Sequence, residues 1–251
     1  MGHRFQHGKS EALFERWKQQ QTLEQLYQKY RDPLSVSGAE LASRLHEVVS
    51  EYPTVFLVTN VLECRPQKQV HNSVDDAYFQ RYKLVSTTYR ICAFLGWLEL
   101  YRQELTHLHP ERDAHSRALE CAVAHIREDF ADGTLNTADD WTEWRDTLVF
   151  REELRAIGES MIEERNSVRT ILGYGRFSEL LDSSDPSPTQ RWARVVLNFL
   201  LDLEPERSDF RRTRLQRLFV HVVRFTQLLD PSFDREDLLS AAKNIGQGLR
   251  I

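Results

Sequence analysis

Residues 75–105 read DDAYFQRYKLVSTTYRICAFLGWLELYRQEL, and this stretch decides the fold that the sequence predicts. Its apolar side chains recur at steps of three, four and seven, which is the spacing of one buried face of an α-helix. These side chains are Leu84, Ile91, Phe94, Leu98, Tyr101 and Leu105. Because Leu95, Trp97 and Leu100 widen the apolar face beyond that of a surface helix, we predict a central helix over residues 75–105.

A glycine stands inside this predicted helix. Gly96 follows Leu95 in the apolar face, and a glycine in the middle of a helix costs about 1 kcal/mol relative to alanine. The residue therefore predicts a place where another helix approaches the central one closely.

The composition narrows the class of protein. The 251 residues are 41% hydrophobic and 28% charged, with ten glycines and eight prolines, which favours a globular helical chain over a disordered or turn-rich one. The net charge of −5 gives no general attraction to nucleic acid or to anionic membranes. No apolar run is long enough to span a bilayer. The three cysteines lack metal or redox spacing, so we expect a reducing compartment and a cytoplasmic location.

Helical patterns continue along the rest of the chain. We predict an all-α fold, an irregular bundle of about eight or nine helices around the central helix 75–105. A first helix is predicted to end at Asp32-Pro33, and the capping-box pair Ser37 and Glu40 to begin a second.

These boundaries suggest a division of the chain. Residues 1–64 would form an N-terminal helical hairpin and connector, and residues 73–251 the main helical bundle. The alternative is one continuous domain. A short extended piece is expected at residues 168–172.

The sequence RQELTH, residues 102–107, overlaps the end of the central stretch. It places Arg102 five residues before His107. This Arg-x4-His spacing resembles the motif of HEPN-type ribonucleases, which are small helical-bundle enzymes. The resemblance implies that Arg102 would neutralise a scissile RNA phosphate and that His107 would move a proton near neutral pH. The family usually has a polar Asn, His or Asp directly after the arginine, whereas this chain has Gln103. The alternative interpretation is an arginine and a histidine at the end of a core helix.

Three arginines are spaced along one face of a predicted helix. Arg207, Arg211 and Arg214 follow each other at steps of four and three, and such a stripe could bind RNA phosphates or an acidic partner. Acidic residues adjacent in sequence could instead pair with it on a solvated face.

Histidines crowd the connector after the central helix. His107, His109 and His115 could ligate a metal, but their spacing fits neither a helical nor a turn-type site. We expect a solvated loop, with no metal and no cofactor.

Two segments are similar to stretches of uncharacterised all-helical bacterial proteins. They are YRICAFLGWLELYRQEL at 89–105 and REELRAIGESM at 151–161. The resemblance covers about residues 73–231. It implies a bacterial origin and, in some members, an N-terminal membrane anchor, but no activity and no catalytic residues.

The pattern as a whole favours an accessory or regulatory protein that acts through protein–protein contacts, with a protein partner or a second copy of the chain. The alternative is a metal-independent HEPN-like ribonuclease of a toxin or phage-defence system, with RNA as its substrate. No membrane association is indicated by this chain.

Overall fold

The computed structural model describes residues 3–51, 77–105, 114–133, 148–201, 203 and 210–251. Within them the chain forms eight α-helices, a short π-helix and a two-stranded antiparallel sheet, so the predicted all-α bundle is confirmed. The helices are α1 (His3–His46), α2 (Ala77–Leu105), α3 (Ala114–Ala131), α4 (Arg151–Ser160), α5 (Tyr174–Asp182), α6 (Pro188–Leu200), α7 (Phe210–Leu229) and α8 (Glu236–Leu249). The π-helix is Glu47–Glu51, and the strands are β1 (Ile162–Arg165) and β2 (Val168–Ile171).

Helix α2 occupies the interior, as the apolar spacing predicts. It packs against α1, α4, α5, α6 and β2. Its buried apolar side chains include Leu84, Ile91, Phe94, Leu98 and Leu100. A second long helix, α7, packs against α1, α3 and α8. The two meet where the ring of Phe94 lies edge-on to the ring of Phe225, with 5.6 Å between centroids.

The predicted helix end at Asp32-Pro33 is wrong, because α1 is one helix with Pro33 inside it. The division of the chain into residues 1–64 and 73–251 stays a prediction. A proline within a helix removes one backbone hydrogen bond and costs about 3 kcal/mol. Tyr30 and Leu34, on either side of Pro33, are both buried in the core, and we infer that their packing offsets this cost.

Ser37 and Glu40 do not cap a helix. Both lie within α1, and Ser37 is buried. At the neighbouring Gly38, a Cβ atom would lie 2.5 Å from Oγ1 of Thr226. The small residues at 37 and 38 thus accompany a close approach of α1 and α7. The proposed boundary at residues 65–72 lies outside the described residues.

Gly96 does mark a close approach, as predicted. The atoms that approach it belong to the C-cap residue of a helix and the last residue of a strand. A Cβ atom there would lie 2.9 Å from Cβ of Met161 and 3.0 Å from Cδ1 of Ile171. Met161 ends α4, and Ile171 ends β2, which pairs with β1 so that Ile162 lies opposite Ile171. The extended piece expected at 168–172 is therefore one strand of a hairpin packed on α2.

No helix within the described ranges is long and apolar enough to cross a membrane.

Candidate functional site

The carboxylate of Glu99 organises the end of α2. Arg102 donates from Nε to Oε2 of Glu99 at 2.7 Å and from Nη2 to Oε1 at 2.5 Å. Gln103 also donates to Oε1, at 2.9 Å, and Arg169 of β2 donates in turn to the Gln103 side chain. The side chain of Glu99 is only 2% exposed. Burial acts to raise the pKa of Glu99, but the hydrogen bonds from Arg102 and Gln103 outweigh burial and lower it.

This geometry bears on the nuclease hypothesis. The guanidinium of Arg102 forms a two-pronged ion pair with Glu99, whereas a cation that binds a scissile phosphate must offer its charge to the substrate. His107 lies outside the described residues. The ribonuclease therefore stays a prediction, and the contacts between Arg102 and Glu99 are those of a residue that fixes the end of a core helix.

The predicted arginine stripe does not form a single solvated face. Arg214 is 1% exposed, and it donates from Nη1 to the Asp129 carbonyl at 3.0 Å and from Nη2 to the Asp132 carbonyl at 2.8 Å. Burial lowers the pKa of Arg214. Arg211 donates to the carbonyls of Phe199 and Leu201.

Arg214 thus satisfies carbonyl groups at the C-terminal end of α3, which have no partner within that helix. Its guanidinium is enclosed between α3 and α7, and its predicted role in binding a ligand stays a prediction. Arg207 lies outside the described residues, and a binding role for Arg211 stays a prediction.

A buried carboxylate that the sequence analysis did not single out lies beside Arg214. Asp129 is 1% exposed and accepts from Nδ1 of His221 at 2.7 Å and from Nε of Arg217 at 3.1 Å. The ring of His125 stacks on His221 with 5.0 Å between centroids.

An imidazole held by a carboxylate is a common arrangement in catalytic sites. His221 is buried, however, so a substrate could not reach its ring without a movement of α3 or α7. We interpret the cluster as a polar connection between these helices. In the sequence, Asp129 stands next to Phe130 on the apolar side of α3. This position could have indicated a buried carboxylate.

The most exposed aromatic pair lies on α1. Phe14 and Trp17 are 60% and 55% exposed, and their rings stack with 6.0 Å between centroids. A helix turns by about 100° per residue. By this count Phe14 and Trp17 lie on the side of α1 opposite the buried Tyr30 and Leu41.

Polar residues lie beside Trp17. Trp17 lines a surface groove together with Gln21, Glu24 and Gln25. We name the five residues Phe14, Trp17, Gln21, Glu24 and Gln25 the outer face of α1. A count of helical angle along the sequence places the two aromatic residues away from the core-facing side of α1.

Metal ligation has no support in the described part of the chain, where no group of three or more His, Cys, Asp or Glu side chains could hold an ion. Of the connector histidines, His115 is described and is exposed, with its ring edge-on to Tyr27 and Nε2 at 3.2 Å from the Tyr27 hydroxyl.

Comparison with known proteins found no match to any family model, to any curated protein or to any solved structure.

Proposed function

We propose that this protein is a cytoplasmic accessory or regulatory protein that binds another protein through the outer face of α1. The observation that carries the proposal is the stacked, exposed pair Phe14 and Trp17, on the side of α1 that faces away from the core.

The exposed aromatic area of Phe14 and Trp17 favours association with a partner. Phenylalanine and tryptophan side chains each bury about 150–250 Å² when they are covered, and tryptophan is among the residues that contribute most to binding between proteins. In α1 the two rings cover each other only in part. A partner surface that covers both rings would gain this burial without unfolding any part of the bundle.

The surroundings of the pair fit a protein interface. Gln21, Glu24 and Gln25 line the groove beside Trp17, so an apolar centre is bordered by groups that can form hydrogen bonds at an edge. Interfaces between proteins commonly have this arrangement, with aromatic residues central and polar residues at the rim.

Site-specific photo-crosslinking in the host cell tests the proposal. The photoreactive residue p-benzoylphenylalanine is placed at position 14 or 17, and the control has it at Val36, which is 59% exposed on the same helix. We expect discrete protein adducts from positions 14 and 17 and none from position 36.

The identity of the adduct distinguishes two kinds of partner. A second copy of this chain in the adduct indicates a homo-oligomer, and a different protein indicates an accessory role. Equal labelling at all three positions, or no protein adduct at 14 and 17, would contradict the proposal. Adducts with RNA alone would favour the nuclease alternative.

A further inference from the structure

The crossing of α3 and α7 holds two stacked histidine rings. The rings of His125 on α3 and His221 on α7 lie 5.0 Å apart between centroids, with 25° between their planes. His125 is exposed to solvent, whereas the side chain of His221 is only 7% exposed. The pair therefore lies at the border between solvent and the interior of the crossing, and His125 can exchange protons with solvent while the two helices stay together.

The inner ring of the pair is fixed by a carboxylate. Nδ1 of His221 donates to Oδ2 of Asp129 at 2.7 Å, and Nε of Arg217 donates to Oδ1 of the same carboxylate at 3.1 Å. A carboxylate only accepts hydrogen bonds, so Nδ1 carries its hydrogen whether the ring is neutral or charged. A first proton on His221 would add a charge that faces Asp129, and the packed crossing can accommodate it.

The fixed charges of the crossing balance while both histidines are neutral. Two cations, Arg214 and Arg217, come from α7, and two carboxylates, Asp129 and Asp132, come from the C-terminal end of α3. All four interact around the guanidinium of Arg214. Protons on the two histidines therefore add positive charge to a place where the existing cations and carboxylates already offset each other.

Other titratable groups near the crossing have contacts of their own or lie in solvent. Within the described ranges no hydrogen bond or ion pair joins α1 or α8 to either histidine, and Asp129 is the one carboxylate that contacts the pair. The remaining groups are Glu128, which lies 3.9 Å from Arg151, Arg224, which donates to the Ile251 carbonyl, the exposed Cys121, and His46 of α1, which stacks on Phe219.

We propose that the crossing of α3 and α7 is a proton-sensitive joint, which holds while at most one of His125 and His221 is charged and loosens when both are. Like charges at this separation repel, and more strongly in a partly buried place than in water. Histidine side chains ordinarily gain their proton at about pH 6.5, and clustered histidines switch packed interfaces in mild acid. Because α3 packs mainly on α7, loosening would uncover the buried apolar side chains of α3, which are Leu119, Ile126 and Phe130.

Hydrogen exchange of the full chain at pH 7.5 and pH 5.5, corrected for the intrinsic rate at each pH, tests the joint. Amides of residues 122–129 in α3 report on the crossing, and amides of residues 91–98 in α2 are the internal reference. We expect the protection of the α3 amides to fall by about tenfold relative to the α2 amides at the lower pH, because the repulsion favours local opening of α3.

Two substitutions connect the acid response to the stacked pair. His125→Phe keeps a flat ring against His221 but cannot take up a proton, so the protection of α3 should stay the same at both pH values. His115→Phe is the matched control, because His115 is another exposed histidine of α3 and its ring meets only Tyr27. This variant should show the same fall in protection as the wild type.

Three results would overturn the proposal. The first is an α3 helix of the wild type that is equally protected at both pH values. The second is an equal fall in the wild type and in His125→Phe, which would place the acid response at another group such as Asp129. The third is a loss of α3 protection at pH 7.5 in both His125→Phe and His125→Gln, because His125 would then hold α3 by contact and not through its charge.

Discussion

Gly158 of α4 lies directly against the main chain of Leu95 in α2, so that a Cβ atom at position 158 would stand 2.7 Å from the Leu95 carbonyl oxygen. The same atom would lie 2.8 Å from Cβ of Glu99. The crossing of α2 and α4 therefore depends on the absence of a side chain at this position.

We expect Gly158→Ala to lower the free energy of unfolding by about 1–3 kcal/mol, the usual cost of an overpacked core. The backbone of α2 cannot move away without disturbing its other contacts. Urea denaturation measures the change. In the control Gly248→Ala, a Cβ atom meets nothing within 4 Å, and better helix propensity should stabilise the protein by up to about 1 kcal/mol. Equal effects of the two substitutions would contradict the described crossing.

Arg214→Met should destabilise the protein by at least about 2 kcal/mol, because hydrogen bonds from a charged group contribute about 1.5–3 kcal/mol each. The substitution leaves the enclosed carbonyls of Asp129 and Asp132 without these donors. Thermal and urea unfolding measure the loss. Arg194→Met, at an exposed position of α6, is the control and should change stability by no more than about 0.5 kcal/mol. A tolerated Arg214→Met would show that Arg214 does not hold the end of α3.

The pKa of Glu99 predicts how stability depends on pH. Because Arg102 and Gln103 lower the pKa in the folded protein despite burial, the charged carboxylate stabilises the fold above the unfolded pKa, which is about 4.3. This contribution is lost as the pH falls through the folded pKa. The difference in free energy of unfolding between the wild type and Glu99→Gln should therefore be largest near neutral pH and should shrink in acid.

Urea unfolding between pH 7 and pH 3 checks this dependence. Glu179→Gln is the control, because Glu179 forms an exposed pair with Arg176 that contributes little. A difference between the wild type and Glu99→Gln that stays constant over the whole pH range would mean that Glu99 is not ion-paired in the folded state.

The two described cysteines should differ in reactivity. Cys92 is buried in α2, and burial raises the pKa of its thiol, so that almost no thiolate forms near neutral pH. Cys121 is exposed on α3. Brief alkylation of the native protein, followed by peptide mass spectrometry, should label Cys121 and spare Cys92 until urea is added. Rapid labelling of native Cys92 would show that the interior of α2 opens readily.

The long apolar repeat of α2 could be recognised from the sequence, because one period of three to four residues persists over many turns and indicates burial. Pro33 misled the prediction, since the rule that proline ends a helix describes local cost alone. The packing of Tyr30 and Leu34, which outweighs that cost, depends on residues far along the chain.

Arg214 misled the prediction in a similar way. Its spacing from Arg211 places both on neighbouring parts of one helix face, but spacing does not say whether that face meets solvent or another helix. The acceptors of Arg214 are the backbone carbonyls of Asp129 and Asp132 at the end of α3. Every residue has a backbone carbonyl, so the sequence does not indicate which of them Arg214 contacts.

We propose that a stable bundle built on α2 presents the outer face of α1 to a partner protein. Residue-resolved hydrogen exchange of the wild type and of Phe14→Ala/Trp17→Ala tests it most directly. We predict that amides of residues 84–100 exchange only through global unfolding, that those of α8 exchange earlier, and that the double substitution leaves both unchanged. Exchange in α2 that precedes α8, or that accelerates when Phe14 and Trp17 are truncated, would contradict the claim.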